Sequence, residues 1–170
     1  MSSGRRLTLP AGLRLLPEYT GAAVRWTALS VLAVCAMVIA SDLAFRAVLP
    51  VEYLAHYMAP LWPRMAWAAL GSLREELLYR LGLMTVLAAF PQLVGRRGGK
   101  GWMVAAIVIA QLANIGTLAL AYPPYGLLRF GIAGCIWGWL YWRHGFVSAL
   151  AGHGLSHFLL DPLLRMVFTG

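Results

Sequence analysis

Charged side chains are scarce in this chain. Charged residues account for 12% of the 170 positions, and only six residues are acidic. Hydrophobic residues account for 61%, and the mean hydropathy is +0.72. A soluble domain carries far more charge, so this composition excludes one and predicts an all-α integral membrane protein. At about 20 residues per crossing, the chain has room for about five transmembrane helices and for little else.

Cysteine is also rare. The two cysteines, Cys35 and Cys135, lie far apart in separate apolar runs, and the chain has no CxxC motif. This spacing does not predict a disulfide framework. We expect both thiols to be buried as small apolar side chains, with a catalytic thiol as the alternative interpretation.

Basic residues outnumber acidic ones. The formal net charge is +8 and the sequence pI is about 10.2. In a soluble protein this balance would indicate nucleic-acid binding, but here the basic residues cluster at the ends of apolar runs, where they act as topology signals. We therefore expect the lipid bilayer as a partner, and no nucleic acid.

The apolar runs predict one membrane domain over residues 1–170, a polytopic helical bundle. Its expected parts are a basic N-terminal segment (1–23), a first transmembrane helix (24–49), an interfacial or re-entrant segment (50–71) and a catalytic four-helix core (72–168). The segment 50–71 is assigned to the headgroup region because prolines interrupt it and tyrosine and tryptophan are frequent in it. The core crossings are expected at 72–94, 102–121, 127–142 and 146–168.

The basic residues also predict an orientation. With five crossings, the loop 96–100 and Arg143 lie on the same side as the arginines of the N-terminal segment. This predicts a multi-pass protein with a cytoplasmic N terminus and an extracytoplasmic C terminus. The abundance of arginine, alanine and leucine favours a bacterial protein, and hence the inner membrane. The residues assigned to the opposite side include Asp42, Arg64, Arg129 and Asp161.

A cluster of charge interrupts the first predicted core helix. The run Arg74-Glu75-Glu76-Leu77-Leu78-Tyr79-Arg80 places four charged side chains in an apolar stretch. An ionised side chain at mid-bilayer costs about 2.5 to 3.5 kcal/mol, so such residues are candidates for function. Residues four apart share a helix face, which predicts an ion pair between Glu76 and Arg80. Glu75 then needs another partner.

Few other polar residues lie inside the predicted bundle. They are Gln111 and Asn114 on one crossing, and His153, Ser156 and His157 on the last. Taken singly, such side chains most often hydrogen-bond to neighbouring helices. Together with the two glutamates they predict a polar site at intramembrane depth, with the two histidines one turn apart.

These motifs resemble those of the CPBP intramembrane glutamic proteases, also called the CAAX prenyl protease or abortive-infection family. That family has three motifs, Glu-Glu-x-x-x-Arg, Phe-x-x-x-His and His-x-x-x-Asn or a similar polar residue. The resemblance covers roughly residues 71–161. The positions aligned with the three motifs are Glu75, Glu76 and Arg80; Asn114; and His153 and His157.

The resemblance implies peptide hydrolysis by a glutamate-activated water, without a cofactor or a metal. Glu75 would be the base, with Glu76 held by Arg80 beside it. His153 and residue 157 would lie at the developing oxyanion of the scissile carbonyl. The implied partner is a membrane-anchored protein substrate, cleaved at a C-terminal anchor or a CaaX-like tail.

Two residues differ from the family pattern. Asn114 stands where the family has a histidine, and His157 stands where it often has an asparagine. In one interpretation the two exchange roles, so that His157 reaches the water and Asn114 donates to the oxyanion. In others Glu75 acts alone, or the chain is a catalytically degenerate member that serves as a membrane scaffold, chaperone or immunity protein.

A zinc-dependent protease is a further alternative. His153 and His157 have the i, i+4 spacing of a zinc-binding helix. The glutamate that follows the first histidine in such a helix is replaced by Gly154. The zinc mechanism therefore ranks below the metal-free one.

Overall fold

The computed structural model describes residues 9–116 and 123–169, and within these ranges all regular secondary structure is helical. Two segments, π1 and π2, are stretches of the wider π-helix, which is rare and often found at functional sites. Besides two short 3-10 helices, Pro10–Gly12 and Arg46–Val48, the elements are α1 (Thr20–Ala44), α2 (Val51–His56), α3 (Leu61–Glu75), π1 (Glu76–Met84), α4 (Thr85–Leu93), α5 (Lys100–Gly116), α6 (Pro123–Gly126), π2 (Leu127–Gly131), α7 (Ile132–His144) and α8 (Phe146–Thr169).

The helix that carries Glu75 and Glu76 begins earlier than expected. Segments α3, π1 and α4 follow one another without a break, so this helix runs from residue 61 rather than from 72. The expected start of this helix at residue 72 is therefore wrong, whereas the placement of 50–71 at the membrane interface stays a prediction; α2 is the short separate helix before α3. Pro60 caps α3 and Pro63 lies in its first turn, where a helix needs no N–H donor. These prolines start the helix rather than interrupt it.

The helix that ends in α7 also contains a π segment. Segments α6, π2 and α7 are continuous from residue 123 to residue 144 and stop at Gly145, which has a φ of +91°. A Cβ at Gly145 would lie 3.0 Å from the backbone of Leu16. The amide of Phe146 donates to the carbonyl of Arg14 at 2.9 Å. The N-terminal segment thus packs against the turn between α7 and α8.

Helix α8 is at the centre of the bundle, packed against α1, α3 and α7. Large side chains of π1, α7 and α8 fill the adjacent core, and all are at most 2% exposed: Met84, Trp137, Leu140, Tyr141 and Leu164. This packing places the histidines of α8 beside π1 and α7.

One helix of the described residues, α1, is long and apolar enough to cross a membrane by itself, with 25 residues and a hydropathy of 2.0. At 1.5 Å per residue it is about 37 Å long, more than the roughly 30 Å hydrocarbon core. Helix α5 is apolar but shorter. The crossing expected at 102–121 ends outside the described residues, and the number of five crossings stays a prediction.

Two ion pairs are buried where the sequence analysis placed charges on the extracytoplasmic side. Arg64 Nε of α3 lies 3.3 Å from Asp161 Oδ2 of α8, and Arg129 Nε of π2 lies 2.9 Å from Asp42 Oδ1 of α1. Asp42 is fully buried, and Arg64 and Asp161 are 4% and 6% exposed. These residues join helices within the bundle, and their side of the membrane stays a prediction.

We expect the variant Asp161→Asn to unfold at a lower temperature than the parent protein. It leaves the buried Arg64 guanidinium without its carboxylate, and breaking a buried pair in this way costs about 3 to 5 kcal/mol. Thermal unfolding of the purified protein in detergent measures the effect. Glu52→Gln, at an exposed acidic position, is the matched control. Equal midpoints for the two variants would contradict the prediction.

Candidate active site

Glu76 is the buried centre of the polar cluster. It is 0% exposed, and its Oε1 lies 3.5 Å from Arg80 Nε, as the four-residue spacing predicts. The same Oε1 lies 3.0 Å from Nδ1 of His153 on α8. The sequence analysis missed this second contact because nothing in the spacing of π1 and α8 reveals how the two helices face each other. One carboxylate oxygen therefore joins Arg80 and His153.

Arg80 reaches two further helices. Its Nη2 donates to Gln111 Oε1 of α5 at 2.7 Å and to the carbonyl of Gly134 in α7 at 3.0 Å. Gln111 Nε2 in turn donates to the carbonyl of Phe130 at 3.0 Å. The sequence analysis placed Gln111 in the polar site without naming its partner, and the structure shows that this amide binds the arginine that pairs with Glu76.

Gly134 makes this contact possible because it has no side chain. A Cβ at this position would lie 1.8 Å from Gln111 Oε1, well inside any allowed contact. The glycine lets α7 approach α5 closely enough for Arg80 to reach both. The sequence signal for it is weak, since the chain has 18 glycines.

His153 is held on three sides. Besides Glu76, its ring stacks on Trp137, with centroids 5.8 Å apart and planes 15° apart, and on His157, at 5.3 Å and 29°. His153 is 9% exposed. Since Nδ1 faces Glu76, the other ring nitrogen, Nε2, is the one available for chemistry.

Glu75 has a different partner from Glu76. Asn114 Nδ2 of α5 donates to Glu75 Oε2 at 2.9 Å. The two adjacent carboxylates can coexist because α5 binds Glu75 and α8 binds Glu76. It also differs from the exchange of roles considered above, in which Asn114 donates to the oxyanion, because here the amide positions the glutamate.

The candidate residues converge on one cavity of about 120 Å³. Its lining includes Glu75, Asn114, His153 and His157, whereas Glu76 lies behind the wall and is not part of it. A cavity of this size has room for water, and several polar groups are present to bind it. The fold therefore brings together the residues on which the sequence analysis depends.

A second polar cluster adjoins this cavity through Arg129, which is part of its lining. Asp42 accepts hydrogen bonds from the hydroxyl groups of Tyr53 and of Tyr125, the latter at 2.8 Å. Arg129 Nη2 donates to the Tyr53 hydroxyl at 2.8 Å. The sequence analysis did not find this cluster, because its members come from α1, α2 and the 123–131 region and have no common motif.

The zinc alternative lacks a ligand set. The described residues contain no group of three or more His, Cys, Asp and Glu side chains arranged to hold a metal. His153 also directs Nδ1 at Glu76, which ties this nitrogen to the carboxylate. The two histidines by themselves do not fit a catalytic zinc, which takes three protein ligands.

Comparison with known proteins gives a family but no individual relative. Residues 57–159, more than half of the chain, match the family model described as type II CAAX prenyl endopeptidase Rce1-like. No curated protein and no solved structure matches. The matched range contains all six candidate site residues and confirms the resemblance drawn from the motifs.

We expect Gly134→Ala to destabilise the protein by about 1 to 3 kcal/mol, the usual effect of inserting a methyl group into a well-packed site. The methyl group must displace Gln111, and Arg80 then loses a hydrogen-bond acceptor. Chemical or thermal unfolding in detergent measures the loss. Gly131→Ala is the matched control, since its Cβ would meet Ile115 at an ordinary 3.5 Å. Equal stability of the two variants would contradict the prediction.

Proposed function

The chain belongs to the type II CAAX prenyl endopeptidase Rce1-like family, and on this premise we propose that it is an intramembrane endopeptidase that uses a water activated by Glu75. Its substrate is a membrane-associated protein, cleaved in or near its membrane anchor or C-terminal tail. The observation that carries the proposal is the cavity in which Glu75, Asn114, His153 and His157 meet.

Glu75 is the proposed base. Asn114 holds Oε2 of this carboxylate, which leaves Oε1 for the water. Transfer of the water proton to Glu75 makes the oxygen nucleophilic as it attacks the scissile carbonyl. Asn114 has no proton to exchange in this step, and its role is to fix the direction of the carboxylate.

The two histidines act on the scissile carbonyl group rather than on the water. A tetrahedral intermediate develops charge on its oxygen, and preorganised donors in a water-poor site stabilise that charge. His153 is fixed by Glu76, and His157 is stacked on it. Both therefore offer ring nitrogens to the cavity with little freedom to move.

Access from the bilayer suits a substrate that is already in the membrane. Large apolar side chains remain exposed on α1, α3 and α8, which fits contact with lipid: Leu29, Leu32, Trp62, Trp67, Leu155 and Met166 are among them. We place the protein in a bacterial inner membrane, with cleavage toward the extracytoplasmic half. New substrate termini confined to the cytoplasmic ends would contradict this placement.

Glu75→Gln is expected to lower the cleavage rate by about 10² to 10⁴-fold, the usual contribution of a general base. Co-expression with candidate membrane-anchored proteins, followed by mass spectrometry of new termini, measures the cleavage. Glu52→Gln is the control. If Glu75→Gln still cleaves at the rate of the control, the water is not activated by Glu75. If neither protein cleaves while both perform the same cellular task, the scaffold alternative is correct.

Asn114→Ala is expected to lower kcat by about tenfold or more with KM little changed. It removes a hydrogen bond to a charged group, worth about 1.5 to 3 kcal/mol, from a carboxylate that needs a fixed direction. Steady-state kinetics of the purified enzyme separate the two parameters. Gln92→Ala, at an exposed amide, is the matched control. An unchanged kcat would assign Asn114 to packing.

A further inference from the structure

Two cavities outside the catalytic cavity adjoin each other on one side of the bundle. The larger, here called the apolar groove, has a volume of about 610 Å³ and lies between α1, α5 and α7. The smaller, here called the polar pocket, has a volume of about 420 Å³ and lies between the N-terminal segment, α1 and the end of α7. Trp26 and Trp139 belong to the lining of both. The two cavities therefore form one continuous concave surface, and each has the size of a small-molecule site.

The apolar groove has the length of one leaflet of a bilayer. It follows π2 and α7 from Leu127 to Trp139, twelve residues along the helix, or about 18 Å at 1.5 Å per residue. Half of the hydrocarbon core of a bilayer measures about 15 Å. Leu29, Leu112 and Ile132 of the lining remain exposed, so the groove is open to lipid. One acyl chain fits this length, whereas a transmembrane helix needs about twice as much.

Three rings separate the apolar groove from the polar pocket. Trp26 and Trp139 meet edge to face with centroids 5.4 Å apart. The His144 ring stacks on Trp26 at 6.5 Å and meets the edge of Trp139 at 5.5 Å. Tryptophan is enriched where the hydrocarbon meets the headgroups. The polar pocket is therefore at headgroup level, at the end of the groove where the head of a lipid would lie.

The polar pocket carries a surplus of positive charge. Arg14 and Arg143 are in its lining, and Arg25 lies beside it with its guanidinium 5.5 Å from the centroid of Trp26. Glu18 pairs with Arg14. Over the described part of the chain, no carboxylate forms an ion pair with Arg143 or Arg25. Two guanidinium groups thus lack an anion, at a depth where basic pockets bind anionic lipid headgroups.

We propose that the two cavities together bind one anionic phospholipid, with its phosphate at Arg143 and one acyl chain in the apolar groove. The bound chain lies against Gln111, which lines both the groove and the catalytic cavity and accepts the hydrogen bond from Arg80. The lipid therefore contacts a side chain that supports the candidate active site. The proposal goes beyond the peptidase function and does not depend on it.

Native mass spectrometry of the purified full chain, delipidated in detergent, measures the binding. The probes are phosphatidylglycerol, which is anionic, and phosphatidylcholine with the same acyl chains, which has no net charge. We expect phosphatidylglycerol to bind about tenfold or more tightly, because two guanidinium groups attract its charge. Equal affinity for the two lipids would overturn the proposal.

Arg143→Gln tests the headgroup site. We expect it to weaken phosphatidylglycerol binding about fivefold, the usual effect of one basic residue near a membrane surface, and to leave phosphatidylcholine binding within about twofold. Arg143→Lys keeps the charge and is expected to bind nearly as tightly as the parent protein. Arg97→Gln, at an exposed basic position outside both cavities, is the matched control. A loss no larger than that of the control contradicts the proposal.

Ala33→Phe tests the apolar groove. Ala33 is an exposed residue of its lining, so the larger side chain fills the groove without entering the core. We expect about tenfold weaker binding or more, since excluding two methylene groups from the groove already has this effect. Ile132→Phe fills the same groove from α7 and is expected to act alike. Ala36→Phe, exposed on α1 but outside the groove, is the matched control. Unchanged binding in both groove variants would show that the chain lies elsewhere.

Two further probes separate the head from the chain. Glycerol phosphate has the phosphate without a chain, and we expect it not to compete at the concentration at which phosphatidylglycerol saturates. N-acetyl-S-farnesylcysteine methyl ester has an apolar chain without a phosphate, and we expect it to bind more weakly than phosphatidylglycerol. Competition by the first probe, or equal affinity for the second, would overturn the proposal, because one half of the site would then suffice. None of these measurements uses peptidase activity, so their failure leaves the proposed function untouched.

Discussion

The organisation of the site depends on one buried carboxylate, that of Glu76. A carboxylate with no exposure is costly unless cations or donors compensate it. Arg80 and His153 approach the same oxygen from different helices. This compensation requires π1 and α8 to lie side by side. The buried charge of Glu76 therefore determines how these two helices pack.

Arg80 extends this constraint to two more helices. The guanidinium has five N–H donors in a rigid fork, more than one carboxylate can accept. One of its nitrogens, Nη2, donates to Gln111 on α5 and to the carbonyl of Gly134 on α7. Gly134 must lack a side chain for the helices to approach so closely. Four elements are therefore fixed relative to each other around a single ion pair, and the cavity lies at their meeting point.

The sequence predicts some of these features and not others for a physical reason. Apolar runs and the i, i+4 rule are local, so the helical class and the Glu76–Arg80 pair follow from them. The pairs Arg64–Asp161 and Asp42–Arg129 join residues distant in sequence. Nothing local identifies such partners, and the sequence analysis assigned these residues to the extracytoplasmic side without pairing them. The sequence analysis also took Pro60 as an interruption, because the sequence alone does not distinguish a proline that starts a helix from one that breaks it.

The same reasoning identified the candidate residues but not their division of roles. Adjacent residues on a helix point about 100° apart, so Glu75 and Glu76 face different neighbours, and only the packed structure says which. Glu75 meets an amide and Glu76 meets an imidazole. An amide donates its hydrogen bond at any pH, whereas an imidazole gives or takes a proton. Asn114 therefore keeps its hydrogen bond to Glu75 whatever the protonation of the neighbouring groups. The asparagine at 114 thus fixes the direction of Glu75, and the two adjacent carboxylates are kept apart because each is bound from a different helix.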